Sequence, residues 1–420
     1  MKRSTALCLF AILGGALAAN APPAAAADIS LESRTYLPAR GTENENTHVL
    51  LYEYLALDAW DLGQPGLYFR AGGWGRADLA DETYGEKTNG DLQYAYLGWR
   101  APQSNAEGRL GRISLTAGVA RNEVFDGAVF GSDLPYGFDA TLYAGVPVET
   151  DEGGRSDDLL YGARVSQGRP GLYRLGASYL KEENDGEEAR EEAGADLFFA
   201  PHTLVELSGS SLYNLIDEAW AHHEYRLALG PFTKGVRLSA SWTSTDYDHY
   251  FQAVTHSAFV PEEAGEKLDR IGGGIEFPLG RGFVLVGEYT AYSYDISGSA
   301  QSYGGRLDWA VPGTAAGAGY RQMHGDEEEN RYQEFQVHAS RTFGAWLAAA
   351  EVQYLAYEEE LNGEDSGTTA MLSLRYAASP ALELTASAEY GVTPEYEREV
   401  SGLLAMTWRY AASTRKGGSK

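Results

Sequence analysis

The alternation of side chains between Gly367 and Tyr410 constrains this chain more than any other feature. Thr368, Ala370, Leu372, Leu374 and Tyr376 take every second position, with Thr369, Met371, Ser373 and Arg375 between them. After Ser379-Pro380 the pattern restarts as Leu382, Leu384, Ala386, Ala388 and Tyr390 against Glu383, Thr385, Ser387 and Glu389. It returns as Val400, Gly402, Leu404, Met406, Trp408 and Tyr410 against Glu399, Ser401, Thr407 and Arg409. Side chains alternate across a strand with period two, so each segment has an apolar and a polar side. Aromatics stand at the ends of the apolar stripe, where a ring bridges hydrocarbon and water. Strands of about ten residues in this style are the signature of a transmembrane β-barrel.

The same pattern fills the chain, from segments 28–37, 48–60 and 67–77 to 367–377, 381–392 and 397–410. The fold class expected is all-β, an antiparallel up-and-down barrel of about 22 strands, within roughly 20 to 24, and even in number as bacterial barrels require. Connections alternate between short turns (168–171, 200–201, 230–231, 278–280, 312–313, 379–380) and longer acidic stretches (182–190, 249–266, 325–330, 358–366). Short turns belong on the periplasmic side of an outer membrane, which would place both chain ends in the periplasm. Segment 48–60 is apolar on both faces, so its register is open by one residue. The connection at 120–123 is very tight for an external loop. A β-solenoid would also recur along the chain, but it needs no aromatic ends on a lipid-facing stripe.

Residues 1–27 read as a signal peptide: Lys2 and Arg3, an apolar run from Ala6 to Ala19, then Ala25-Ala26-Ala27 before Asp28. That run is too short for a membrane anchor, and no apolar run elsewhere is long enough for a helical span. Cys8, the only cysteine, leaves with the signal. The barrel expected over 28–410, with a short basic periplasmic tail at 411–420, therefore holds no disulfide, thiolate metal site or haem attachment of its own. Fifty glycines, 28 tyrosines and eight tryptophans favour strands and turns. Without Lys2 and Arg3 the basic residues number 31 against 60 acidic, a formal charge of −29. Such acidity speaks against nucleic acid, whose phosphates are bound by Lys and Arg.

Alternation also assigns a lumen. Arg70, Arg100, Arg112, Arg164, Arg174, Arg226, Arg237, Arg375 and Arg409 fall on the polar face, toward a short turn or the C-terminus. They form an expected basic belt, with Glu276 and Glu383 at that level and Glu224, Glu288, Glu351 and Glu389 nearer mid-height. One reading is that the belt attracts anionic groups; the other is that these side chains satisfy lumen carboxylates and water. The acidic stretches 182–188 and 326–329 read as a solvated outer rim. The adjacent His222 and His223 point to opposite faces of a strand and make poor metal ligands. No nucleophile–base pattern or phosphate loop is present, so neither an enzyme nor a metal site is expected.

A barrel this wide encloses an aqueous lumen. No plug is expected, and the 249–266 connection looks short for a constriction loop, so something else would have to fill the bore. The segment RLGRISLTAGVARNEVFDGAVFGSDLPYGFDATLYAGVPVE (Arg109 to Glu149) resembles the porin-like outer-membrane channel proteins of metal-reducing bacteria. So do LYEYLALDAWDLGQPGLYFRAGGWGRADL (Leu51 to Leu79) and DLQYAYLGWRAP (Asp91 to Pro102). Some members are the barrel of porin–cytochrome conduits. The resemblance therefore implies an insulating sheath around a multihaem c-type cytochrome in extracellular electron transfer, with haem only on the partner chain. The alternative is a stand-alone outer-membrane porin for small anions. A structural, adhesin-like barrel has only the acidic rim in its favour.

Overall fold

The computed structural model describes residues 28–42, 47–80, 87–148, 158–252, 265–394 and 396–413; the expected signal peptide and all but the first residues of the expected tail lie outside them. Every second residue is driven outward or inward by the alternation, and the result is one sheet of 22 strands. In order these are β1 (Asp28–Thr42), β2 (Thr47–Trp60), β3 (Leu67–Asp78), β4 (Thr88–Arg100), β5 (Glu107–Ala117), β6 (Ala120–Leu134), β7 (Phe138–Pro147) and β8 (Leu159–Arg169). Next come β9 (Tyr173–Asn184), β10 (Glu187–His202), β11 (Val205–Asn214), β12 (Ala219–Leu229), β13 (Arg237–Asp246), β14 (Lys267–Gly280) and β15 (Phe283–Tyr294). The last seven are β16 (Ser299–Val311), β17 (Thr314–Gly325), β18 (Tyr332–Phe343), β19 (Trp346–Leu361), β20 (Glu364–Ser379), β21 (Leu382–Thr393) and β22 (Tyr396–Ser413). A short helix, α1 (Tyr247–Gln252), follows β13. Each strand pairs antiparallel with the next, and β1 pairs with β22 from Asp28 opposite Ser413 to Thr42 opposite Glu399. The sheet closes with no free edge strand, which is what a bilayer demands of spanning strands.

The outer face is apolar. Leu97, Leu110, Phe130 and Leu142 stand exposed on one side and Leu285, Leu307, Val337, Leu372 and Leu404 on another. Rings bound the stripe at both ends: Trp99, Phe199, Phe283, Trp346 and Trp408 toward the short turns, Tyr289, Tyr303, Tyr320, Phe335, Tyr354 and Tyr390 toward the other end. Trp346 stacks on its cross-strand neighbour Tyr376 with centroids 4.3 Å apart. Such a band flanked by aromatic girdles is the exterior of an outer-membrane barrel.

The register of β2 is settled by its neighbours. Leu55 lies opposite Ser33 and Gly73, in the outward row that continues to Trp408, so Tyr52, Tyr54, Asp58 and Trp60 face the lumen. Glu53 shares the outer face and is held by the Ser33 and Thr35 hydroxyls, each at 2.5 Å. Two of the connections expected as loops are strand instead. β9 and β10 run on to a turn at Asp185-Gly186, and β19 and β20 to a turn at Asn362-Gly363. All four turn residues have positive φ, the two-residue hairpin geometry that Asp-Gly and Asn-Gly favour. The acidic residues there are consequently ladder side chains, and Glu182 is buried rather than part of a solvated rim.

Candidate functional site

The functional geometry begins where one hairpin leaves the wall. The β4–β5 ladder ends at Ala95 opposite Arg112, and the β6–β7 ladder at Phe125 opposite Pro147. The β5–β6 ladder continues to Ala117 opposite Ala120, so residues 113–124 pair almost only with each other. Glycines at the departure line permit the bend. Gly111 has φ +131°, and a Cβ there would lie 2.4 Å from the Ala95 carbonyl oxygen; a Cβ on Gly127 would lie 2.2 Å from that of Ala144. Free of its neighbours, the hairpin folds into the bore.

Its tip docks on the inner wall of β8 to β12. The Val119 N–H donates to Ser178 Oγ at 3.1 Å, and the Val119 carbonyl accepts from Arg190 Nη2 at 3.1 Å. Arg190 also donates to Glu192 at 2.7 Å and to Glu123, on the hairpin, at 2.8 Å. Arg121 reaches Glu192 at 2.9 Å and lies over the Tyr250 ring of α1, 4.8 Å from its centroid. Arg190 is 4% exposed and Glu192 is fully buried. Breaking a buried pair of this kind by removing one partner typically costs about 3–5 kcal/mol. Ile113, Leu115, Phe125, Leu160, Leu180 and Leu212 pack into an apolar core between hairpin and wall. A barrel lumen is normally polar; here its inward residues are greasy because another layer of the same chain covers them.

No plug domain stands among the described residues, as expected, but the bore is narrowed by a hairpin of the wall itself. Residues 120–123, expected as a tight external connection, are instead the start of β6; the turn is at Gly118-Val119 and lies inside the bore. The 249–266 connection adds to this constriction at its start, where Asn214 donates to the His249 carbonyl at 3.0 Å and His222 packs against Tyr250. Residues 253–264 of that connection lie outside the described residues. His223 points the other way, stacked on Trp242. Beside the docked tip is a cavity of about 460 Å³ whose lining includes Arg121, Arg164, Arg174, Ser178, Asp196 and His222.

Eight of the nine arginines singled out in the sequence face the lumen. Arg70 pairs with Asp58; Arg100 lies 3.4 Å from Glu107, Arg164 2.6 Å from Asp196 and Arg174 3.9 Å from Asp139. Further round, Arg226 is 2.6 Å from Glu224, Arg237 3.8 Å from Glu276, Arg375 3.8 Å from Glu383 and Arg409 2.8 Å from Glu32. Only Arg164 and Arg174 are brought to one place, around Asp139; the others are spread around the circumference. Arg112 is the exception. It sits opposite Ala95 and Asp126 in the outward row of Leu97 and Leu110. Its Nε and Nη2 donate to Asp126 at 2.9 and 3.0 Å, and its Nη1 donates to the Leu92 carbonyl at 3.2 Å. That carbonyl is on the stretch of β4 that β5 abandons, so Arg112 seals the wall rather than lining the bore.

The pairs have a direction. In most of them the arginine side chain is more exposed than its acidic partner: 69% against 37% for Arg226 and Glu224, 62% against 28% for Arg174 and Asp139, 48% against 9% for Arg321 and Glu334. The order is inverted for Arg164 with Asp196 and Arg190 with Glu123, at the hairpin dock, and also for Arg112 with Asp126 and Arg331 with Glu359. The arginines of these pairs thus remain within reach of a solute in the bore while paired to the wall. Arg121, Arg190, Glu192 and Arg321 were not singled out by sequence; apolar residues in the inward phase at Ile113 and Leu115, and on both faces at Leu159-Leu160, were the available sign that the lumen is covered there.

No family model matches the sequence, and no curated protein matches it. Among solved structures the chain is similar to the OccK8 (OprE) protein of Pseudomonas aeruginosa, at 11% identity and a TM-score of 0.46, with 92% of this chain and 98% of that one covered. It is similar also to OccAB4 of Acinetobacter baumannii (10% identity, TM-score 0.48, 93% and 100% covered). A third is Pseudomonas aeruginosa OccK2 (OpdF) solved in complex with glucuronate (10%, 0.46, 92% and 98%). No residue role follows from likeness at that level.

Proposed function

We propose that the chain is an outer-membrane channel through which small anionic solutes diffuse, a pore and not an enzyme. The observation that carries this reading is the β5–β6 hairpin folded into the bore and fixed there by Arg190, beside a wall from which arginines such as Arg174 stay exposed. A constriction brings a passing solute within reach of those charges, and guanidinium groups offer carboxylates a planar, charge-assisted fit. Glucuronate and vanillate, bound by OccK2 and by OpdK, are solutes of that type, though they belong to those proteins. The cytochrome sheath implied by the family resemblance fares worse, because the hairpin occupies space that an inserted partner would need. On the channel reading no haem-bearing partner is required. Liposome swelling tests it: proteoliposomes should admit small carboxylates faster than uncharged or cationic solutes of equal size. Equal rates for all three would remove the anion preference, and no swelling would remove the channel.

A further inference from the structure

The lumen wall of β1 to β4 carries a set of inward rings outside the lipid girdles, and only Tyr94 among them also touches the hairpin core, 6.2 Å from Tyr96. Tyr36, Tyr52, Tyr54, Trp74 and Tyr94 all project inward from β1 to β4. Tyr52 stacks on Tyr54 at 6.4 Å, Tyr54 meets Tyr36 edge-on at 5.7 Å, and Tyr52 lies 6.4 Å from Trp74. Tyr94 lies flat over Gly72, where an added Cβ would sit 2.5 Å from the ring, so a face of the ring is turned to the bore. Four of these tyrosines bound a cavity of about 450 Å³ that is rimmed by Glu32, Arg34 and Gln93. Arg34 lies 2.5 Å from Glu32. All five rings are half-buried, so each keeps part of its surface free for a ligand.

We propose that this wall is a saccharide-binding track, separate from the hairpin constriction. A pyranose has an apolar C–H face and an edge of hydroxyls that both donate and accept. The flat rings suit the first, while the Glu32 carboxylate, the Arg34 guanidinium and the Gln93 amide suit the second. An aromatic acid would use the rings but bring no hydroxyl donors for Glu32. The track needs an open bore, as the channel reading does, but its test requires no current.

The test is equilibrium binding of maltotriose and cellotriose to the detergent-purified barrel, read by tryptophan fluorescence, with benzoate as the competing probe. A saturable change is expected with at least one trisaccharide, weakened about tenfold by Tyr54→Ala and by Tyr94→Ala. Tyr54→Phe, which keeps the ring, should stay within about twofold of the parent. Absence of saturation with both sugars, unchanged affinity in both alanine variants, or ring-dependent binding of benzoate alone would overturn the proposal. Binding without anion conduction would leave the track standing and defeat the channel reading, whereas conduction without binding would do the reverse.

Discussion

Arg190 and Glu192 stand two residues apart on one strand, 2.7 Å from each other and closed off from solvent by a hairpin that both help to hold. Arg190 also takes the Val119 carbonyl and the Glu123 carboxylate, so a single side chain ties the tip of β5–β6 to the far wall. Arg190→Ala should destabilise the docked hairpin by about 3–5 kcal/mol. The expected result is a larger single-channel conductance and new protease sensitivity near Val119, with the barrel still heat-modifiable on gels.

The same release should follow without touching a charge. A Cβ on Gly194 would lie 2.5 Å from Val119 Cγ1, so Gly194→Val forces the tip off its seat. Overpacking of this kind typically costs about 1–3 kcal/mol. Conductance should rise as it does for Arg190→Ala while ion selectivity changes less, because every guanidinium remains.

Selectivity should divide the arginines by face. Arg174→Gln and Arg226→Gln remove groups that stand out into the bore and should each lower the anion-to-cation permeability ratio in bilayer recordings. Arg112→Gln should leave that ratio unchanged, since Arg112 is paired with Asp126 on the outer face. Its cost should appear as reduced thermal stability of the β4–β6 wall.

The fit of flat rings over glycines gives a stability prediction. A Cβ on Gly98 would lie 2.1 Å from the Tyr68 ring, which is fully buried and donates to Glu107. Gly98→Ala should lower the unfolding midpoint in urea, by an amount equivalent to about 1–3 kcal/mol. Gly108→Ala, on the outer face with nothing near its Cβ, serves as the control and should be close to neutral.

Much of the barrel was legible in the sequence because closure and lipid exposure both act through a period-two rule that each strand obeys by itself. The number of strands, their order and the inward face of eight arginines follow from counting alternate residues and short turns. What alternation does not encode is whether a strand pair stays in the wall. Residues 113–124 alternate like any other hairpin, and only the ladder partners they lack show that they turn inward. The misplacement of Arg112 has the same origin: it belongs to the outward row of Leu110, and a polar residue there makes sense only once β5 has left β4. The ring-bearing inner face of β2 was ambiguous for a different reason. Tyr52 and Tyr54 alternate with Leu51 and Leu55, so hydropathy is similar on both sides, and the register against β1 decides.

The most direct measurement is the reversal potential of single channels under a salt gradient, made on the parent barrel and on Arg190→Ala side by side. The channel account predicts an anion-selective parent of modest conductance, and a variant that conducts more and discriminates less. A cation-selective parent, or a variant whose conductance and selectivity match the parent's, would contradict it.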